Sequence, residues 1–332
     1  MLFAGGNYVQ NGWYEKTQHA APNKGSRLRF TVCSGTAVNV YLYTTNPGRT
    51  IPLNVKRQTV NSSPIGVFDS GYGGLTVLRE LVNTLPQYDY LYLGDNARAP
   101  YGNRSFDTVY HYTLDCVKWF FKNGCHLVIL ACNTASAKAL RTIQQKDLPS
   151  IDPTKRVLGV IRPTSEVIGQ YTKTNHVGIL ATTGTVQSDS YAIEIEKQFP
   201  EISVYQEACP MWVPLVENNE HTGDGAAYFV KKHIHSLLSK SGKIDTVLLA
   251  CTHYPLLMNT INQFLPAHIK LLSQGEIVAR SLADYLERHP EIEKMCTKNR
   301  HYRFFTTDST EDFDSHASIF FGQPVKSSHA SL

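Results

Sequence analysis

The sequence lacks the features of membrane and secreted proteins. No uninterrupted apolar run comes near the roughly 20 residues that a helix needs to cross a bilayer. Residues 1–16 have neither a basic start nor a long apolar stretch, so they do not resemble a secretory signal. We therefore expect a soluble protein of the cytoplasm, without a membrane partner.

The chain also lacks the cysteine spacing of zinc sites and redox dithiols. Its 7 cysteines are an odd number, and no two of them are arranged as C-x-x-C. An odd count without that spacing argues against a disulfide framework and against a tetrahedral zinc site. We expect free thiols and no bound metal.

Outside the N-terminus, neither basic nor acidic residues are in clear excess. Residues 1–63 hold 7 of the 32 Lys and Arg residues and a single acidic residue, Glu15. The remaining 25 basic and 27 acidic residues nearly cancel. A body without a basic surplus gives no reason to expect a nucleic acid partner.

What is present suits a globular protein with room for two domains, since the chain has 332 residues and is 42% apolar. Residues 1–62 are an atypical N-terminal extension without helical periodicity. Its segments LRFTVCSG and VNVYLYTT predict a small hairpin, but a disordered leader fits equally well, as does a translation start near Val60. We assign no function to this extension.

From Ser63 onward, apolar strands alternate with helical patterns. The helix predicted over residues 105–122 has Ser105 as its N-cap, and the helix from Thr134 runs to about Gln145. The first of these helices places on one face Phe106, Val109, Thr113, Cys116, Val117 and Phe120. Strands are predicted at residues 64–68, 89–95, 126–131, 155–161, 176–181, 201–206, 245–250 and 269–273. This alternation predicts an α/β fold with parallel sheets covered by helices on both faces.

The strand ends repeat in two half-copies. DSGYGG and ACNTA follow strands in the first half, and ATTGTVQS and ACTHYP follow strands in the second. Ligands of open α/β sheets bind outside the carboxyl ends of the strands. Two of these strand ends carry a cysteine, and we call them the cysteine tips. If the two halves face each other, both cysteine tips line one cleft.

The first cysteine tip is Cys132, followed by Asn133 and Thr134 at a predicted helix start. A cysteine at a strand end is often no more than a buried apolar group. Here the two residues that follow it are short hydrogen-bonding residues, and backbone N–H groups at such a start suit a carboxylate. Asn133 and Thr134 are therefore candidate substrate contacts.

The second tip repeats the arrangement with Cys251, Thr252 and His253. A histidine beside a thiol can carry its proton or stabilise the thiolate. Racemisation of an α-carbon needs a base on one face and an acid on the other. Two cysteines on facing domains, Cys132 and Cys251, meet that need.

Other candidate site residues also follow predicted strands. Asp69 and Ser70 begin the turn DSGYGG, where a carboxylate can handle a proton or hold an amino group. Thr182 and Thr185 are candidates to bind a carboxylate, and the backbone of the turn at residues 99–102 can contact a ligand. Each of these stretches also reads as an ordinary loop.

Taken together, these stretches resemble the glutamate racemases of the aspartate/glutamate racemase family. The resemblance covers the chain from about Ser63 to the C-terminus and rests on GVFDSGYGGLTVLRE, YLGDNARAPYG, LACNTASA, GILATTGTVQSDSY, CPMWVPLVE and LACTHYPLL. Two features depart from the family pattern: GVIRPTSEV differs after its strand, and the extension has no counterpart.

The resemblance implies interconversion of L- and D-glutamate without a cofactor, which supplies D-glutamate for peptidoglycan. It implies that Cys132 works on the D-glutamate side and Cys251 on the L-glutamate side. Asp69 and His253 would assist the respective thiols, and Glu217 would be a further catalytic residue. The implied substrate contacts are Asp69, Ser70, Tyr101, Gly102, Asn133, Thr134, Thr182, Thr185, Thr252 and His253.

The family fold implies two flavodoxin-like, doubly wound domains whose parallel sheets face each other across a central cleft. The first domain would comprise residues 63–160 and 274–332, and the second residues 161–273. Family members are often homodimers, so a homodimer is also expected. Alternatives that remain open are a racemase of a related amino acid such as aspartate, a single-thiol hydrolase or decarboxylase on the same scaffold, and a non-catalytic amino-acid binder.

Overall fold

The computed structural model describes residues 63–332 throughout, and before them only four short strands. Residues Met1–Asn61 and Ser62–Leu332 form two separate compact units. The strands of the first unit form one antiparallel sheet in the order β1-β2-β3-β4. They are β1 Tyr8–Val9, β2 Trp13–His19, β3 Arg27–Val32 and β4 Val38–Tyr43. The pair β3 and β4 occupies the two segments for which the sequence predicts a hairpin.

The second unit contains ten strands in two sheets. They are β5 Ile65–Asp69, β6 Tyr90–Gly94, β7 Leu127–Leu130, β8 Arg156–Gly159, β9 His176–Ala181, β10 Ser203–Ala208, β11 Thr246–Ala250, β12 Lys270–Leu272, β13 Tyr302–Thr306 and β14 Ser327–His329. All eight predicted strands of this unit are present. Two further strands that were not predicted, β13 and β14, extend the first sheet at its edge.

The helices of the second unit lie between these strands. They are α1 Leu75–Thr84, α2 Phe106–Lys122, α3 Asn133–Lys138, α4 Leu140–Thr142, α5 Leu148–Ile151, α6 Ile161–Val167, α7 Thr183–Gln187, α8 Ser190–Gln198, α9 Trp212–Glu217, α10 Asp224–Ser239, α11 Met258–Phe264, α12 Gly275–Arg288, α13 Pro290–Glu293 and α14 Thr310–Phe321. A π-helical turn, Ile143–Asp147, joins α4 to α5. No helix in the described part of the chain has the length and apolar character needed to span a bilayer.

The two sheets of the second unit repeat one strand order. The first runs β14-β13-β6-β5-β7-β8 and the second runs β10-β9-β11-β12, and every pairing in both is parallel. The first half of this unit contains β5 to β8, and the second half contains β9 to β12. In each half, the strand that comes first along the chain lies between the second and the third. This is the order of flavodoxin-like sheets, so the α/β architecture predicted from the sequence is confirmed.

Buried strands and amphipathic helices build this architecture. Every residue of β5, β6 and β7 is buried, because α1 and α12 pack against one face of the first sheet and α2 packs against the other. The predicted cap of α2 is also present, since the backbone N–H of Thr108 donates to Ser105 Oγ at 3.1 Å.

Two local predictions were wrong. Phe106 is 47% exposed, because it lies in the first turn of α2, outside the buried face that Val109 begins. The single helix predicted from Thr134 to Gln145 is interrupted at Ala139 and divided into α3, α4 and the π-helical turn. Neither difference moves a predicted strand end.

Candidate active site

Both cysteine tips line one cavity at the carboxyl ends of the two sheets. Cys132 follows β7 and Cys251 follows β11, and each is the third strand of its own half. The predicted site residues that share this cavity are Ser70, Tyr101, Gly102, Asn133, Thr134, Thr182, Glu217, Thr252 and His253. Two predicted residues, Asp69 and Thr185, do not line the cavity and instead support residues that do.

The Cys132 thiol is buried, with a hydroxyl and a backbone N–H beside its sulfur. Cys132 is the N-cap of α3, and its Sγ accepts from the backbone N–H of Ala135 at 3.5 Å. The hydroxyl of Ser70 lies 3.5 Å from the same sulfur. Burial, and then the nearby carboxyl of Asp69, raise the pKa of Cys132 to about 12. This thiol is therefore protonated at neutral pH and suited to donate a proton.

The Cys251 thiol has a different neighbour. His253 Nδ1 lies 3.9 Å from Cys251 Sγ, and His253 Nε2 lies 3.0 Å from Glu217 Oε1. Burial disfavours the imidazolium, but the hydrogen bonds to Cys251 and Glu217 outweigh burial and raise the pKa of His253. A protonated His253 stabilises a thiolate at Cys251, so this sulfur is suited to accept a proton.

Asp69 links the two halves from beneath the cavity. It is fully buried and accepts from the backbone N–H of Gly71 at 3.0 Å and from Thr252 Oγ1 at 3.3 Å. Burial is the main cause that raises the pKa of Asp69, against the lowering effect of His253. The carboxyl therefore holds a proton more readily than an exposed one.

Three threonine hydroxyls form a short chain across the cavity. Thr134 Oγ1 lies 3.0 Å from Thr182 Oγ1, which lies 3.1 Å from Thr185 Oγ1. Each hydroxyl has one hydrogen, so the two bonds within the chain leave one of the three hydroxyls free to donate to a carboxylate. The position of Thr185 behind Thr182 explains why it supports the cavity without lining it.

Tyr101, which lines the cavity, is held by residues that were not predicted from the sequence. The Tyr101 hydroxyl donates to Asp95 Oδ2, away from the cavity. The same buried carboxylate accepts from Arg98 Nε at 2.6 Å and from Thr307 Oγ1 at 2.8 Å. The carbonyl of the next residue, Gly102, accepts from the backbone N–H of Gly184 in the second half at 2.8 Å.

Part of the cavity lining was not predicted from the sequence. Ala99 and Pro100 of the predicted turn line the cavity, and the additional lining residues are Asn103, Thr183, Cys209, Pro210, Val213 and Pro214. Asn103 and Thr183 flank predicted residues, and the other four stand in the stretch that precedes Glu217. Within residues 63–332, no group of three or more His, Cys, Asp and Glu side chains is placed to hold a metal ion.

Comparisons with known proteins place this arrangement in a family. A family model described as Asp/Glu/Hydantoin racemase matches residues 65–282. A glutamate racemase of Streptococcus gordonii is 38% identical over 278 residues, which are 82% of this chain and 100% of the relative. One from Geobacter metallireducens is 38% identical over 259 residues, which are 78% of this chain and 92% of the relative.

Two solved structures that this chain resembles are also named glutamate racemases. Glutamate racemase isoform RacE1 from Bacillus anthracis has a TM-score of 0.74 at 32% identity, covering 81% of this chain and 98% of its own. Glutamate racemase from Francisella tularensis in complex with D-glutamate has a TM-score of 0.72 at 31% identity. The match covers 82% of this chain and 98% of that structure's chain. This chain therefore belongs to the aspartate/glutamate racemase family of amino-acid racemases, in which it groups with the glutamate racemases.

Proposed function

We propose that this chain interconverts L- and D-glutamate without a cofactor, using Cys132 and Cys251 as opposed acid and base. The observation that carries the proposal is the pair of thiols at equivalent strand tips, on two sheets of the same order, lining one cavity. A reaction that removes a proton from one face of a carbon and returns one to the other needs such a pair.

Glutamate is the proposed substrate because the relatives point to it. The curated relatives at 36–38% identity are named glutamate racemases, and the Francisella tularensis structure contains D-glutamate. The hydroxyl chain that contains Thr134 and Thr182 has one hydrogen left to donate to a carboxylate of this substrate. We propose that its D-isomer supplies peptidoglycan, and that the enzyme works in the cytoplasm as a homodimer.

For L-glutamate, we propose that Cys251 is the base. Its thiolate, stabilised by the imidazolium of His253, removes the Cα proton and becomes a thiol. Cys132, held as a thiol at neutral pH, then donates its proton to the opposite face and becomes a thiolate. With D-glutamate the two sulfurs exchange roles, and Asp69 assists Cys132.

The difficult step is removal of the Cα proton, because Cα–H is a far weaker acid than a thiol whose ordinary pKa is about 8.5. Donors fixed around the substrate carboxylate lower the barrier if they stabilise the developing carbanion more than the ground state. Burial of Cys132 and Cys251 removes water from the sulfurs, which makes a thiolate a stronger base.

The decisive experiment is incubation with L-glutamate in D2O. We expect D-glutamate to form and deuterium to appear at Cα in the product. Cys132→Ser and Cys251→Ser should each abolish racemisation. Cys296→Ser is the matched control, because Cys296 is a buried free thiol whose Sγ donates to the carbonyl of Ile292, a bond that a serine hydroxyl can replace. This control should keep wild-type activity.

The same variants test the alternatives. A single-thiol hydrolase or decarboxylase would consume glutamate and need only one of the two cysteines. A binder would hold glutamate with no exchange at Cα, and an aspartate racemase would show exchange only with aspartate. Each of these results would contradict the proposal.

A further inference from the structure

Gln274 is a buried polar side chain outside the predicted site. It directly precedes α12, after the last strand of the second sheet, and it is 4% exposed. A buried amide has to make hydrogen bonds, because a polar group that is removed from water without partners is destabilising. Its partners therefore show what the residue holds together.

The partners of Gln274 form a closed ring of hydrogen bonds with Asn133 and Tyr191. Asn133 Nδ2 donates to Gln274 Oε1 at 2.7 Å, and the Tyr191 hydroxyl donates to Asn133 Oδ1 at 2.6 Å. Gln274 Nε2 donates to the Tyr191 hydroxyl oxygen at 2.5 Å, which closes the ring. Each member is both a donor and an acceptor, so the ring sets the orientation of both amides.

Gln274 also contacts the other segment in which the chain passes between the sheets. Its Nε2 lies 3.1 Å from Thr164 Oγ1 and 3.3 Å from the carbonyl oxygen of Val160, at the start of α6. The chain first leaves the first sheet at α6 and returns after β12. The Gln274 side chain therefore connects both segments that run between the sheets to Asn133, the residue that follows Cys132.

Among the residues that the structure describes, one N–H of the Asn133 amide has no partner. Its Oδ1 and one Nδ2 hydrogen bond are taken by Tyr191 and Gln274, and an asparagine amide has two N–H groups. Asn133 lines the cavity beside Cys132. Because the ring fixes the orientation of the Asn133 amide, its second N–H has a fixed direction and can donate to a substrate carboxylate.

We propose that Gln274 is a positioning residue that holds the Asn133 amide for substrate binding. This inference rests on the proposed function. An interaction made equally with the bound substrate and with the transition state affects KM and leaves kcat unchanged. Loss of Gln274 should therefore weaken glutamate binding with little effect on the chemical step.

The test is steady-state kinetics of Gln274→Leu with both enantiomers. We expect KM to rise about tenfold, which is about 1.4 kcal/mol, with kcat within about twofold. Both directions should change by the same factor in kcat/KM, because an enzyme cannot alter the equilibrium between enantiomers. A merely structural role would reduce the fraction of folded enzyme, which lowers the apparent kcat and leaves KM unchanged.

Two further variants keep the test decisive. Tyr191→Phe removes a single hydroxyl of the ring and should also raise KM, which covers the case in which Gln274→Leu does not fold. The matched control is Thr172→Val, which removes a buried hydroxyl that donates to Asp245 Oδ1 at 2.6 Å outside the cavity. It should lower the melting temperature and leave KM unchanged.

A double-mutant cycle identifies the route through Asn133. In an Asn133→Ala background, Gln274→Leu should raise KM no further, because the amide that it positions is gone. An active wild-type enzyme whose KM is unchanged in Gln274→Leu and Tyr191→Phe, or a full additional effect in the Asn133→Ala background, overturns this inference alone. A wild-type chain that does not racemise glutamate overturns the proposed function and this inference together.

Discussion

At the scale of single residues, the two thiols differ in what surrounds them. Cys132 has a hydroxyl, a backbone N–H and a carboxyl nearby, and its pKa is raised to about 12. Cys251 instead has His253, which Glu217 holds from the other side. The pair is thus chemically asymmetric, although its strand positions are equivalent. Under the proposed mechanism, the raised pKa of Cys132 makes this thiol the proton donor when L-glutamate is the substrate.

Replacement of Glu217 by glutamine tests the role of this carboxylate. Glu217 raises the pKa of His253 by favouring the imidazolium, so its neutral replacement should lower that pKa. His253 would then lose its proton at a lower pH. We expect the alkaline limb of the pH profile of kcat/KM to move down by about 1 pH unit.

The control for this prediction is Glu220→Gln, which removes an exposed carboxylate three positions further along the chain. It should leave the pH profile unchanged. An alkaline limb at the wild-type position in Glu217→Gln would show that the carboxylate does not control His253.

At the scale of elements, the turn between β5 and α1 connects the two halves of the site. Its first residue, Asp69, accepts from Thr252 Oγ1 of the second half. Gly73 lies so close to the same strand tip that an added Cβ would come within 2.3 Å of Thr252 Oγ1 and 2.5 Å of His253 Nδ1. The glycine is therefore required by close approach, and the turn and the tip of β11 constrain each other.

Gly73→Ala should displace Thr252 and His253. A misplacement of about 1 Å at a reacting group can lower the rate about 100-fold, and we expect a loss of kcat of that order. Gly71→Ala is the matched control in the same turn, since its Cβ would meet nothing closer than Glu217 Oε1 at 3.5 Å. Steady-state kinetics and melting temperatures of both variants check this. Equal kcat values in the two would contradict the steric explanation.

At the scale of the whole molecule, the second unit is built twice on one plan. In each half, the first strand ends in polar site residues and the third strand ends in a cysteine: Asp69 and Cys132 in one half, Thr182 and Cys251 in the other. Cys132, Thr182 and Cys251 line one cavity, and Asp69 supports it through Thr252. A reaction that runs in either direction across a single carbon suits such a repeated architecture.

A chain that begins at Ser62 should keep the kcat and KM of the full-length protein within about twofold. All predicted site residues lie in the unit Ser62–Leu332, and 82% of this chain covers the whole of the Streptococcus gordonii relative. Racemisation assays and thermal unfolding of the two chains side by side check this. A clear loss of activity in the shorter chain would show that the N-terminal unit contributes to catalysis.

Local pattern was enough to predict the strand order along the chain and the cysteine tips. Strands such as β7 and β11 are continuous apolar runs, and the residues that end them are read directly from the sequence. The cap at Ser105 is equally local. By contrast, β14 is a three-residue strand of mostly exposed residues, and its place in the sheet depends on β13 beside it.

By itself, the sequence determined which residues stand at the strand ends, because apolar runs and turn residues act over a few positions. Only the tertiary structure decided which of them share the cavity and which residues hold them there. Gln274 reaches Asn133 across 141 positions, and Thr307 reaches the carboxylate of Asp95 across 212. Such contacts leave no periodic signal, since the first depends on how the two sheets pack against each other and the second on the return of the chain to place β13 beside β6.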